Sequence, residues 1–200
     1  MLGGDDNTFD NNPLRNVEMT PFAVPIQGEL SKEDRKKVFE MDYGGAHATI
    51  RPLYTYKIYA RIYSKKYYPY GFDPCPAKYD LALGWDGLEK EDVFNSIKAT
   101  QSLRWVHWRL KPNCPYSVDE VYLRLANNHV IAANNNILKG LSKLKKNDIV
   151  YIEGYLISYD AVKGKRTASG VSSTTREDRK ANSCEIIYAT RLVSKYGEFK

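Results

Sequence analysis

Tyr54-Thr55-Tyr56-Lys57-Ile58-Tyr59-Ala60-Arg61-Ile62-Tyr63 alternates without a break. Successive side chains of an extended chain point to opposite faces. Tyr54, Tyr56, Ile58, Ala60 and Ile62 therefore make one apolar face, and Lys57, Tyr59, Arg61, Tyr63 and Lys65 make the other. The pattern spans Ala48 to Ser64 and predicts a long strand with one buried side. Its second face interleaves basic and aromatic side chains, the combination that stacks bases over a charged groove. A solvated sheet produces the same mixture, because tyrosine favours strands and Lys or Arg stems cover exposed rings.

Working outward, residues 1–30 carry no apolar period and form an irregular acidic leader, leaving 31–200 as one β-rich domain. Ser31 with Asp34 caps a short helix over 31–41, which Gly44 and Gly45 end. Residues 65–80 contain Pro69, Gly71, Pro74 and Pro76 and read as a loop; Asp80 to Trp85 follows as a short buried segment. A helix is expected over Glu89–Ile97 and a single strand over Thr100–Leu110, with His107 packed among aromatics. Val118–Leu125 stays open between helix and strand, and Asn127–Asn134 is a polar turn entering an apolar step. Helical spacing follows over Asn136–Leu144, a strand over Ile149–Ile157, a polar loop over 160–182 and a last strand over Cys184–Val193. The fold class is α+β, a strongly curved antiparallel sheet or a partly open small β-barrel with two or three short helices.

The chain of 200 residues has a formal charge of +6, unevenly spread. Residues 1–50 hold five Lys or Arg against nine Asp or Glu, so the rest carries a net +10. A basic body attracts polyanions, with nucleic acid, anionic lipid and acidic glycans as the possible partners. Seven of the 16 tyrosines lie between Tyr54 and Tyr70, which makes the tyrosine excess mainly a feature of the strand and its following loop. No stretch approaches the ~18 apolar residues of a membrane helix, so a soluble chain is expected. An export signal upstream of Met1 would place it in the periplasm or cell envelope; otherwise it is cytoplasmic.

Cys75, Cys114 and Cys184 show no Cys-x-x-Cys spacing, and His47, His107 and His129 add no ligand pair, so neither a metal nor a cofactor is expected. Cys75 and Cys114 sit beside prolines on loops, where an oxidising compartment would let them pair; Cys184 lies in an apolar run and reads as a buried thiol. Ser172-Ser173-Thr174-Thr175-Arg176-Glu177-Asp178, followed by Cys184-Glu185, brings hydroxyls, a guanidinium and carboxylates close to a thiol. With His129 these are the residue types of a Cys–His nucleophile assisted by an oxyanion-stabilising arginine. The candidate pocket is His129, Asn128, Arg176, Asp178, Cys184 and Glu185, with Trp85 and Trp105 as walls. In it His129 would move protons, Arg176 would clamp an anion and Glu185 would orient the imidazole.

Leu141 to Ile157, a short helix, the turn Lys145-Lys146-Asn147-Asp148 and a strand with Gly154 in its middle, resembles a segment of oligonucleotide/oligosaccharide-binding (OB) barrels. It is especially similar to that segment in single-stranded-DNA-binding proteins. The resemblance implies an OB-like barrel, a fold that hosts unrelated functions. The order His129, Cys184, Arg191 is similar to sortase transpeptidases, but Cys184 and Arg191 fall in one predicted strand rather than two. Asp80-Leu81-Ala82-Leu83-Gly84-Trp85, Gln101 with Arg104-Trp105, Ala126 through Asn134 around His129, and Ser172 through Glu185 together look like an uncharacterised bacterial family over about residues 50–195. Its members are small and often follow an N-terminal hydrophobic anchor. Ala132 stands where that family has proline, and Lys180-Ala181-Asn182 where it has glycines.

These features favour a non-catalytic binding or envelope-associated module. Two other classes stay open: single-stranded nucleic-acid binding through Lys57, Tyr59, Arg61 and Tyr63, and a His/Cys-dependent hydrolase or transpeptidase.

Overall fold

A computed structural model of the protein describes residues 12–69, 74–175 and 184–200. Its elements are β1 (Ile26–Gly28), β2 (Phe39–Tyr43), β3 (Ala46–Tyr67), β4 (Tyr79–Gly84), α1 (Glu91–Ser96), β5 (Ile97–Ser102) and β6 (Trp105–Leu110). They continue with α2 (Val118–Arg124), β7 (Leu125–Ala132), α3 (Asn135–Lys143), β8 (Ile149–Lys163), β9 (Arg166–Val171), β10 (Glu185–Ser194) and β11 (Gly197–Phe199). The class is α+β, dominated by one large curved sheet. β3 pairs with both β4 and β8, β7 joins β4 to β10, and β10 pairs back onto β8; β7–β10 is the parallel pairing among these.

The alternation along β3 sets the core. Tyr56, Ile58, Ala60 and Ile62 face inward against Leu81 and Leu83 of β4, Ile152 and Leu156 of β8, and Ile187 and Ala189 of β10. α3 lays Ile137 and Leu141 on the same cluster. Asn134 caps that helix by accepting from the amides of Asn136 and Ile137, and Lys65 Nζ donates to the carbonyls of Leu141, Ser142 and Leu144 at its far end.

Several expectations are corrected by long-range pairing. The helix over 31–41 shrinks to a single 3-10 turn at Asp34–Lys36, because Phe39–Tyr43 is drawn into an antiparallel ladder with β3. The strand expected over Thr100–Leu110 is the hairpin β5–β6, turning at Leu103 and Arg104. Asn127 to His129 is not a turn but the middle of β7, between β4 and β10. The loop over 160–182 begins as strand, with β8 running to Lys163 and β9 folding back along it. Val118–Arg124 resolves as helix, started by a capping box in which Ser117 and Glu120 bond each other's amides. His107 is exposed on the hairpin and bonds Ser102 rather than packing in the core.

Part of the leader is ordered: Leu14 and Met19 bury against Tyr59, Tyr151 and Val193, and β1 extends the sheet along β3. Cys75 and Cys114 form no disulfide with each other and pack in separate clusters. No helix among the described residues is long and apolar enough to cross a membrane.

Candidate functional site

β4 and β7 are antiparallel neighbours with Asp80 directly opposite His129, while parallel β10 sets Ile186 beside His129 and Glu185 beside Asn128. Alternation then separates two sets of residues. Asp80, Asn127, His129 and Cys184 fall on the outer face; Asn128 and Glu185 fall on the inner face with Leu81, Val130 and Ile187.

On the outer face, His129 Nδ1 lies 2.9 Å from Asp80 Oδ1, and the Cys184 thiol is near enough to act with that carboxylate on the ring's titration. Asn127 stands beside the thiol, its Nδ2 3.9 Å from Cys184 Sγ, and is itself fixed by Gln101 Nε2 at 2.6 Å and by donation to the Arg104 carbonyl. The carboxylate thus orients the imidazole, and the thiol lies close to both the imidazole and Asn127.

Asp80 is completely buried, a position a carboxylate tolerates only with partners. Arg104 NH1 supplies one at 2.9 Å and also reaches the carbonyl of Ala77. Arg104 does this from an unfavourable backbone: the two-residue hairpin turn puts Leu103 at φ 48° and Arg104 at φ 69°, where side chains normally cost about 1–3 kcal/mol. That cost is offset locally. The Arg104 amide donates to Tyr68 Oη, and its guanidinium sits 3.9 Å from the centroid of the Tyr68 ring. The strained turn thus delivers a cation to the buried carboxylate.

The imidazole is 13% exposed. Burial alone would push it toward its neutral form, but the hydrogen bonds and charges of Asp80 and Cys184 outweigh that penalty and raise its pKa to about 10. His129 is consequently cationic at neutral pH.

A cavity of about 790 Å³ opens onto this group. Cys184 and His129 line it together with Pro74, Cys75, Trp105 and residues 168–175. Cys184, expected as an inert core thiol, is partly exposed here.

The structure brings together only some of the residues expected from sequence. His129, Cys184 and Trp105 share the cavity; Trp85 does not, being 1% exposed in the main core. Asn128 and Glu185 are buried on the opposite face, so Glu185 cannot orient the imidazole, and Asp80 does so instead. Arg176 and Asp178 lie outside the described residues. Arg191 is held by Glu153 and Glu198 away from the thiol, so the sortase-like Cys–Arg pairing is absent. The Lys57, Tyr59, Arg61, Tyr63 face is not an open stacking platform. Tyr63 is fully buried and donates to the Leu88 carbonyl, Tyr59 is covered by Phe22, Lys57 pairs with Glu153 and Arg61 bonds Asn147.

Asp80, Arg104, Asn127 and Gln101 acquired no role from sequence alone. A signal for Asp80 existed: a lone carboxylate inside Tyr79-Asp80-Leu81-Ala82-Leu83 demands a buried cation or donor. Among the described residues no cluster of three or more His, Cys, Asp or Glu side chains is arranged for a metal. No family model matches the chain, and the searches of curated proteins and of solved structures found no match to it.

Proposed function

We propose that the protein is a cysteine-dependent acyl-transfer enzyme, a hydrolase or transpeptidase, with Cys184 as nucleophile, His129 as acid–base and Asp80 as the group that orients it. The observation that carries this reading is that Cys184 and His129 line one cavity, with His129 bonded to Asp80 and Asp80 itself held by Arg104. Sulfur would attack an ester, thioester or amide carbonyl. The His129 imidazolium would then give its proton to the departing oxygen, sulfur or nitrogen, and water or a second nucleophile would release the thioester.

The scaffold in this proposal is an OB-like barrel. Its support is the ring of pairings β3–β4–β7–β10–β8–β3, with β7 and β10 parallel and α3 between β7 and β8. In such barrels ligands bind over the second and third strands, between the loops that follow the first and fourth. The cavity lies there, lined by Pro74, Cys75 and residues 168–175. That placement also favours a second reading, in which the pocket binds its ligand without reacting with it.

Alkylation by iodoacetamide, followed residue by residue with mass spectrometry, separates the two. At pH 7 Cys184 is expected to react about tenfold or more faster than Cys75 or Cys114, and His129→Ala is expected to abolish the difference. Equal rates at the three thiols, or a Cys184 rate indifferent to His129→Ala, would leave the binding reading.

A further inference from the structure

We infer that the cavity takes its acyl substrate as an extended peptide, paired as an added strand on the free edge of β9 with its reactive carbonyl at Cys184. The reaction part of this inference rests on the thiol chemistry proposed above; the substrate part rests on separate observations.

Among the described residues β9 pairs only with β8 and ends the sheet. Its phase is fixed at both ends. The two-residue turn Gly164-Lys165 makes Lys163 and Arg166 a hydrogen-bonded pair, and beyond the strand the Ser172 amide donates to the Ile157 carbonyl at 2.9 Å. Antiparallel ladders alternate bonded and non-bonded pairs. Ala168 and Gly170 therefore turn their backbone groups toward β8, and Thr167, Ser169 and Val171 turn theirs away from it.

The cavity reaches this edge as well as the sheet face that carries Tyr159 and Ile186. Four consecutive residues, Ala168 to Val171, line it, whereas a cavity on one face of a strand would touch every second residue. The edge also leads to the nucleophile: two residues beyond Val171, the Ser173 amide donates to the Cys184 carbonyl at 3.0 Å. A row of unpaired amides and carbonyls ending at a thiol matches the way extended peptides are bound by strand addition.

The lining suits small or apolar side chains. Trp105 is 40% exposed and Val171 69% exposed among the lining residues. The charged groups among the described lining residues are Arg104 and His129, and both are bound to Asp80. In the reaction the Cys184 sulfur–carbon bond forms, the peptide carbon–nitrogen bond breaks, and the leaving amine takes its proton from His129. Water then adds to the thioester carbon, giving the carboxylic acid and the free thiol.

The probe is acetyl-Ala-Val-Thr-Ala chloromethyl ketone, compared with chloroacetamide, each rate divided by its rate with N-acetylcysteine. Backbone pairing predicts an advantage of roughly tenfold or more for the peptide at Cys184, equivalent to two recovered hydrogen bonds. The advantage should fall to within about twofold when alternate amides of the peptide are N-methylated. Ser169→Pro and Val171→Pro, each removing an outward N–H while sparing the β8 ladder, should have the same effect. An advantage that survives N-methylation and both substitutions overturns the inference, as does no advantage while chloroacetamide still prefers Cys184. Should chloroacetamide show no preference for Cys184, the thiol reading fails by itself. Strand addition is then decided by amide hydrogen exchange across 166–171 in Cys184→Ala with millimolar acetyl-Ala-Val-Thr-Ala amide: protection supports it and unchanged exchange overturns it.

Discussion

Asp80→Asn is expected to cost about 3–5 kcal/mol of stability, because it removes the shared anion of two buried cations while leaving both in place. Arg104 and His129 each lie 2.9 Å from Asp80 Oδ1, and the carboxylate has no exposure at all. An asparagine of the same shape keeps the packing, so the loss reports charge rather than volume. The substitution also releases the imidazole. With Asp80 gone, burial dominates and the His129 pKa drops from its raised value toward or below the ordinary 6.5. In the unsubstituted protein the folded state holds the His129 proton more tightly than the unfolded chain does. Its contribution is complete below pH 6.5 and is lost as pH climbs toward about 10. Urea titrations between those limits should show falling stability in the parent protein and a flatter profile in Asp80→Asn. Cys184 alkylation at pH 7 should slow in parallel. A loss below about 1 kcal/mol with an unchanged imidazole titration would show that the carboxylate is not what holds the site.

What sequence made legible follows a physical line. β3, α3 and the first part of β8 were readable because their residues declare period 2 or period 3.6 locally, and the buried faces of Tyr56–Ile62 and Ile137–Leu141 are the ones the periods assign. β2 did carry a period-2 signal, Phe39, Met41 and Tyr43 alternating with Glu40 and Asp42, but it is five residues long and follows directly on the helix start at Ser31 and Asp34, which outweighed it. The β5–β6 hairpin was hidden for a different reason. Its turn uses Leu103 and Arg104 at positive φ, so the usual Asn-Gly or Gly signal is missing. The polar composition of Asn127-Asn128-His129 pointed to a turn, and only the arrival of Gln101, Arg104, Asp80 and Leu81 as partners lets those side chains be buried in a central strand. The same gap explains the site. His129 and Cys184 were nominated by chemistry, but assigning the orienting acid to Glu185 required the register of β7 against β10, which puts Glu185 on the inner face.

That register depends on one close approach. Gly154→Ala is expected to cost at least about 3 kcal/mol, the upper part of the range for forcing volume into a packed interior. Gly154 lies between two partners at once, opposite Tyr56 on β3 and Ala189 on β10. A Cβ there would sit 2.0 Å from the Tyr188 carbonyl oxygen and 3.1 Å from Ala189 Cα, both backbone atoms that no rotamer can move. Just beyond, the β8–β10 register slips between Ala189 and Arg191, so a bulge already takes up the curvature at this point. Pushing β10 off β8 would also shift it against β7, and the spacing between Cys184 and His129 is set across that β7–β10 pairing. Gly154→Ala should therefore lower both the urea midpoint and the Cys184 alkylation rate. Gly164→Ala is the control: its φ of 59° strains alanine by about 1 kcal/mol, but nothing lies within 4 Å, so stability should fall modestly and thiol reactivity should not change. If Gly154→Ala were no more destabilising than Gly164→Ala, β8 and β10 would have to approach less closely than they do, and the alignment of thiol and imidazole would need another cause.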